Sequence, residues 1–153
     1  MKTFNQLVKE YSEKVTEIFP WDLAENLQQR NILIVDVREP AEFEAMHIKG
    51  SINAPRGILE TSCEYDYEET IPDLVEARDK EVVVVCRSGN RSIFAADVMQ
   101  QLGYQNISSL KTGLRGWNEF EQPLYDTQGN QVDIDLADEF FAPKLRPEQH
   151  SPK

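Results

Sequence analysis

Hydrophobic and polar positions along the chain follow two periods. Val82–Val85, bounded by Glu81 and Arg87, and Asn31–Val37 are continuous and rich in β-branched residues, as strands buried on both faces of a parallel sheet are. Shorter runs at Val15–Ile18, stopped by Pro20, at Ser51–Ala54 and at Ile107–Leu110 predict three further short strands. Helical spacing lies between them. Phe94, Ala95, Val98 and Leu102 repeat at that period and are closed by Gly103; Leu23 and Leu27 follow Asp22, a candidate cap; and Gly113 to Phe120 reads as a turn and helix. Phe4, Leu7, Val8, Tyr11 and Val15 share one face of an amphipathic helix, with Lys9, Glu10, Glu13 and Lys14 opposite. This helix is expected to pack on the core, docking of a partner being the alternative. Beyond Asp126 the pattern weakens. Gln128–Asn130 is a turn, Val132–Leu136 alternates in a strand-like way, Phe140–Phe141 is either packed or an exposed contact, and residues 143–153 read as a flexible polar tail. The alternation of strands and helices predicts one α/β domain: a mainly parallel sheet of about five strands with helices on both faces.

Charge narrows the partners. The 153 residues include 27 acidic and 16 basic side chains, a net charge of −11, which argues against bulk-charge binding to nucleic acid or an anionic membrane. Glu60–Asp79 alone holds eight acids and one arginine; such a run is a solvated face, or else a docking surface for a basic protein. The amino-terminal residues run into charge rather than an apolar stretch, so neither a signal peptide nor a membrane span is expected and the cytoplasm is the expected location. With two cysteines and two histidines, none at metal spacing, no disulfide framework, metal or cofactor is implied. Nothing in the sequence sets the oligomeric state.

The charge pattern reverses sign at one place, Cys86-Arg87-Ser88-Gly89-Asn90-Arg91. Cys86 lies at the carboxyl end of the valine strand, where open α/β sheets bind ligands, and just before a helix whose free N–H groups and dipole favour an anion. A helix amino terminus beside guanidinium groups is the setting that favours a thiolate, so Cys86 is the candidate nucleophile; an inert buried cysteine is the alternative. Cys63, set among carboxylates, should be the less reactive thiol, and a resolving role for it would require proximity to Cys86. Asp36 ends an apolar run and needs a partner. It is expected to lie beneath the loop and order Arg91 or the loop amides, or else to satisfy a nearby turn. Arg38 is expected to pair with Glu42 or Glu44 and hold the strand-to-helix turn.

Cys86–Arg91 resembles the six-residue active-site loop of rhodanese domains, which carry sulfane sulfur as a cysteine persulfide. Ile34–Phe43, His47–Pro55 and Gly113–Trp117 are similar to the family's other signatures, in the right order. The resemblance covers about residues 16–125, leaving 1–15 and 126–153 as extensions. It implies a sulfurtransferase in which Cys86 takes sulfur from thiosulfate or another small anionic donor and passes it to cyanide, glutathione or a protein thiol. Arg87, Ser88, Gly89, Asn90 and Arg91 form the loop, Arg87 attracting the donor and Arg91 organising the backbone. Met46 stands where the family has glycine, and Thr112-Gly113 where it often has two glycines; His47 belongs to a structural turn, and Trp117 is a core anchor. A rhodanese-like module that binds a partner with little turnover is the alternative. Phosphatase and arsenate reductase readings are disfavoured, because four residues separate Cys86 from Arg91. The related phosphatase loop has five, and the smaller ring of N–H donors favours a sulfur-sized guest.

Overall fold

The two continuous apolar runs form the middle of the sheet. The computed structural model describes residues 1–152. It contains β1 (Thr16–Ile18), β2 (Leu33–Asp36), β3 (Ile52–Asn53), β4 (Glu81–Val85) and β5 (Asn106–Leu110), joined in the order β1-β5-β4-β2-β3 with every pairing parallel. Around it lie α1 (Phe4–Ser12), α2 (Pro20–Gln29), α3 (Pro40–Ala45), α4 (Leu59–Ser62), α5 (Pro72–Val75), α6 (Arg91–Gln101), α7 (Gly113–Glu119) and α8 (Ile134–Phe141). Central position and two covered faces explain why β4 tolerates no polar residue between Val82 and Val85, all four of which are fully buried.

The pleat divides the core into two layers. Val82 and Val84 face the side of Val35, Val37 and Ile107, and are covered by Leu59 of α4, Leu74 of α5 and Ala95, Ala96 and Met99 of α6. Val83 and Val85 face the other way with Ile34 and Leu110, under Leu23 of α2, Leu114 and Trp117 of α7, and Ala137 and Phe141 of α8. Each buried aliphatic side chain contributes about 1.5–3 kcal/mol relative to exposure. Trp117 is the core anchor read from the sequence, its Nε1 donating to the Pro123 carbonyl at 3.1 Å. The acids Glu64, Asp66 and Glu68 are exposed, as a solvated face requires.

Two local readings change, and the packing of the amino-terminal helix does not. Pro20 stops β1 and also opens α2 at its first turn; Asp22 lies within that turn, where its charge complements the dipole, rather than capping it. The alternating stretch Val132–Leu136 is not a strand. It leads into α8, because Ala137 and Phe141, four residues apart, bury one helical face against the α7 layer. α1 lies over α6, with the Phe94 ring 4.9 Å from Tyr11 and 6.4 Å from Phe4, and a Thr3–Gln6 capping box closes its amino end. Among the described residues no helix is long and apolar enough to cross a membrane.

Candidate active site

Cys86 is the first residue beyond β4 and is 1 % exposed. The chain then reverses through Gly89, at φ +90°, and enters α6 with Asn90 as its N-cap. That reversal aims two backbone donors at the cysteine: the Gly89 and Ser92 N–H groups reach Sγ at 3.1 and 3.4 Å. Ser92 Oγ lies 3.3 Å from Sγ and 2.7 Å from Ser109 Oγ of β5, so the sulfur is tied into a buried chain of hydroxyls. In the thiol form Sγ donates to Ser92 Oγ; a sulfur anion would instead accept from it.

The other side of the loop is braced by α7. Its Leu114 and Arg115 N–H groups donate to the Cys86 and Arg87 carbonyls at 2.8 and 3.0 Å. Such close approach is possible only because residue 113 has no side chain: a Cβ there would lie 2.5 Å from the Arg87 carbonyl carbon and oxygen. The preceding Thr112 is itself left-handed, at φ +67°, where the family often has glycine.

The charged residues pair differently from expectation. Asp36 does not order Arg91 or the loop amides. Its buried carboxylate accepts from Arg38: from the N–H at 3.1 Å, Nε at 2.9 Å and Nη2 at 2.8 Å. Arg38 lies just beyond β2, in the bend that follows it, and its N–H folds back onto the Asp36 carboxylate in an Asx-type turn, which brings the guanidinium to the same carboxylate. Arg38 in turn pairs with neither Glu42 nor Glu44; its remaining contact is the Met46 carbonyl at 2.7 Å, and Nη1 is buried without a partner. Glu42 is left for Arg91, which it grips in a two-point ion pair at 2.9 and 3.0 Å. Burial pushes the Glu42 carboxyl up, but the hydrogen bonds from Arg91 and the Glu39 N–H outweigh it and hold Glu42 below its ordinary value. Arg87 leans outward, Nη2 donating to the Phe141 carbonyl at 2.8 Å, at the carboxyl end of α8. Ser88 is exposed at the rim.

His47 is held in its turn, Nδ1 lying 2.7 Å from the Phe43 carbonyl and its ring stacked on Phe43. Cys63 is free of any disulfide and fully buried, and burial pushes its thiol up. Sequence reasoning missed Ser92 and Ser109 as neighbours of the sulfur, and Glu42 as the partner of Arg91. A buried serine between Ile107 and Leu110 of a core strand was a readable signal; the Glu42 pairing was not.

A cavity of about 180 Å³ opens over the loop, lined by Phe4, Cys86, Arg87, Ser88, Asn90 and Arg91. A wider hollow of about 720 Å³ lies at the opposite, amino ends of the strands, beside Leu33, Ile52 and Glu81. It holds neither thiol nor loop, so the smaller one is the candidate site. The small cavity offers a sulfur atom that accepts two N–H donors and a volume suited to a small anion.

The Rhodanese-like domain family matches residues 20–120. A Schizosaccharomyces pombe protein named "Putative thiosulfate sulfurtransferase, mitochondrial" is 34 % identical over 114 residues, covering 69 % of this chain and 80 % of that one. A rhodanese-related protein of known structure from Thermoplasma volcanium is 33 % identical, with a TM-score of 0.58 over 71 % of this chain and 96 % of that one. A Rhodopseudomonas palustris structure described as "Protein of Unknown Function" and "Possible Tyrosine Phosphatase" is 25 % identical, with a TM-score of 0.71 over 81 % of this chain and 95 % of that one. Other relatives are longer proteins, of which the chain spans 60 % or less.

Proposed function

This chain belongs to the rhodanese-like family, which has members named sulfurtransferases, and from that premise we propose that it moves sulfane sulfur through a persulfide on Cys86. The observation that carries the reading is the cysteine sulfur at the floor of a small cavity, accepting the Gly89 and Ser92 N–H groups. As a thiolate, Cys86 attacks the outer sulfur of thiosulfate. The sulfur–sulfur bond of the donor breaks, sulfite leaves with the electron pair, and a Cys86 persulfide remains. The loop N–H groups hold the terminal negative charge, as an oxyanion hole holds developing charge. Cyanide, glutathione or a protein thiol then attacks that outer sulfur and returns Cys86 to the thiolate, a two-stage scheme with ping-pong kinetics. Solution in the cytoplasm is part of the same proposal.

The name carried by the Rhodopseudomonas structure raises the phosphatase alternative. Two features weigh against it. The loop has four residues between Cys86 and Arg91, and the Arg91 guanidinium that would clamp a phosphoryl group is engaged by Glu42 at two points.

Intact-protein mass spectrometry after brief exposure to thiosulfate tests the reading. A gain of one sulfur, about 32 Da, reversed by cyanide and absent from Cys86→Ser, is the expected result. No adduct with thiosulfate, mercaptopyruvate or a persulfide donor would reject sulfurtransfer and favour a binding module.

A further inference from the structure

α1 lies outside the matched residues 20–120, yet its first residue reaches the reactive loop. Phe4 is 58 % exposed and lines the cavity above Cys86. It also lines a second, adjoining hollow of about 430 Å³ together with Leu7, Phe94, Arg56 and Arg91. Phe4 and Arg91 line both, so the two hollows adjoin at these side chains as a groove beside the seam between α1 and α6. The loop cavity alone falls below the roughly 300 Å³ at which small-molecule pockets begin, whereas the adjoining hollow lies within their range. Inorganic thiosulfate has no use for the second compartment.

We propose that this groove is a subsite for the organic part of a sulfane-sulfur donor, an aromatic or aliphatic thiosulfonate whose apolar group lies against Phe4, Leu7 and Phe94 while its anionic sulfur enters the Cys86 loop. The lining is mixed in the sense such a molecule needs. Three apolar side chains form the wall, and two guanidinium groups sit beside them in a chain of net charge −11. Arg91 is paired with Glu42 and Arg56 with Glu60, so the arginines place a partly neutralised positive edge along the groove rather than free cations. The substrate class rests on the sulfurtransfer reading, and its step balances: the Cys86 thiolate bonds to the donor's terminal sulfur, the bond from that sulfur to the sulfonyl sulfur breaks, and an organic sulfinate leaves with the electron pair.

The subsite is tested without turnover, by protection of Cys86 from iodoacetamide with unreactive sulfonates, labelling being read by peptide mass. Benzenesulfonate is expected to protect at about tenfold lower concentration than methanesulfonate, the worth of one aromatic group moved out of water against Phe4. Phe4→Ala should reduce that ratio below about twofold. Tyr11→Ala is the control for loosening of α1: Tyr11 packs on the same Phe94 ring but lines neither cavity, and this variant should keep a ratio above about fivefold. Equal protection by the two sulfonates in the wild type overturns the subsite. So does a ratio that survives Phe4→Ala, or one lost equally in both variants. A wild type that forms no persulfide yet shows the ratio would reject sulfurtransfer and leave the subsite standing.

Discussion

Gly113→Ala separates the two physical demands that α7 places on the loop. An alanine Cβ at 113 would lie 2.5 Å from the Arg87 carbonyl carbon and oxygen and 2.6 Å from the Cys86 oxygen. These are backbone atoms, tied to α7 by the Leu114 and Arg115 N–H groups, and cannot swing aside as a side chain would. The φ of +63° adds a second cost, since a left-handed conformation is disfavoured by about 1–2 kcal/mol for a residue with a Cβ. Relief of the overlap adds about 1–3 kcal/mol, the usual cost of an extra methyl in a packed interior. The expected destabilisation is therefore about 2–5 kcal/mol.

Gly50→Ala supplies the reference. Gly50 has φ +82° and nothing within 4 Å of a would-be Cβ, so it carries the conformational cost alone, about 1–2 kcal/mol. Urea unfolding of the two variants gives the difference. Because the clash is relieved by moving the Cys86 and Arg87 carbonyls, it should also shift the Gly89 and Ser92 N–H groups off the sulfur. A hydrogen bond to a charged group is worth about 1.5–3 kcal/mol, so loss of one should slow iodoacetamide labelling of Cys86 at least about tenfold. If Gly113→Ala costs no more than Gly50→Ala and labels at the wild-type rate, α7 does not brace the loop and the packing argument is wrong.

Two further substitutions probe the charges. The folded value of Glu42 lies below its ordinary 4.5, so its contribution to stability is complete above that pH and is lost as the pH falls through the folded value. Glu42→Gln should lower stability at neutral pH and flatten the acid limb below 4.5; a limb parallel to the wild type down to about pH 3 would remove the Arg91 pair from the account. Arg87→Ala should raise the KM for thiosulfate about three- to tenfold at low salt, with the gap closing as salt is added. An unchanged KM in a folded variant would reduce Arg87 to an anchor for the carboxyl end of α8.

What could be read along the chain was whatever is contiguous in it. Four valines between charged residues can hardly be anything but a covered strand, and Cys86–Arg91 is one uninterrupted turn, so the sheet and the place of the candidate sulfur were both legible. α8 was not, because Ile134 and Leu136, which make the alternation convincing, are 42 % and 62 % exposed, while the helical pair Ala137 and Phe141 makes the core contact. Charge pairing was degenerate for a different reason. The sequence set Asp36 against Arg91 and Glu42 or Glu44 against Arg38; the turn after β2, which folds Arg38 back onto Asp36, exchanges the pairs and leaves Glu42 free to hold the loop. The same reasoning bears on what the site accepts. The loop and its bracing by α7 fall inside residues 20–120, the part shared with the family, whereas the edges of its mouth come from outside it: Phe4 from α1 on one side, and on the other the α8 carbonyl that draws Arg87 outward. On the proposed function, sulfur transfer belongs to the module shared with the family, and selection among sulfur donors is to be sought in the two terminal helices.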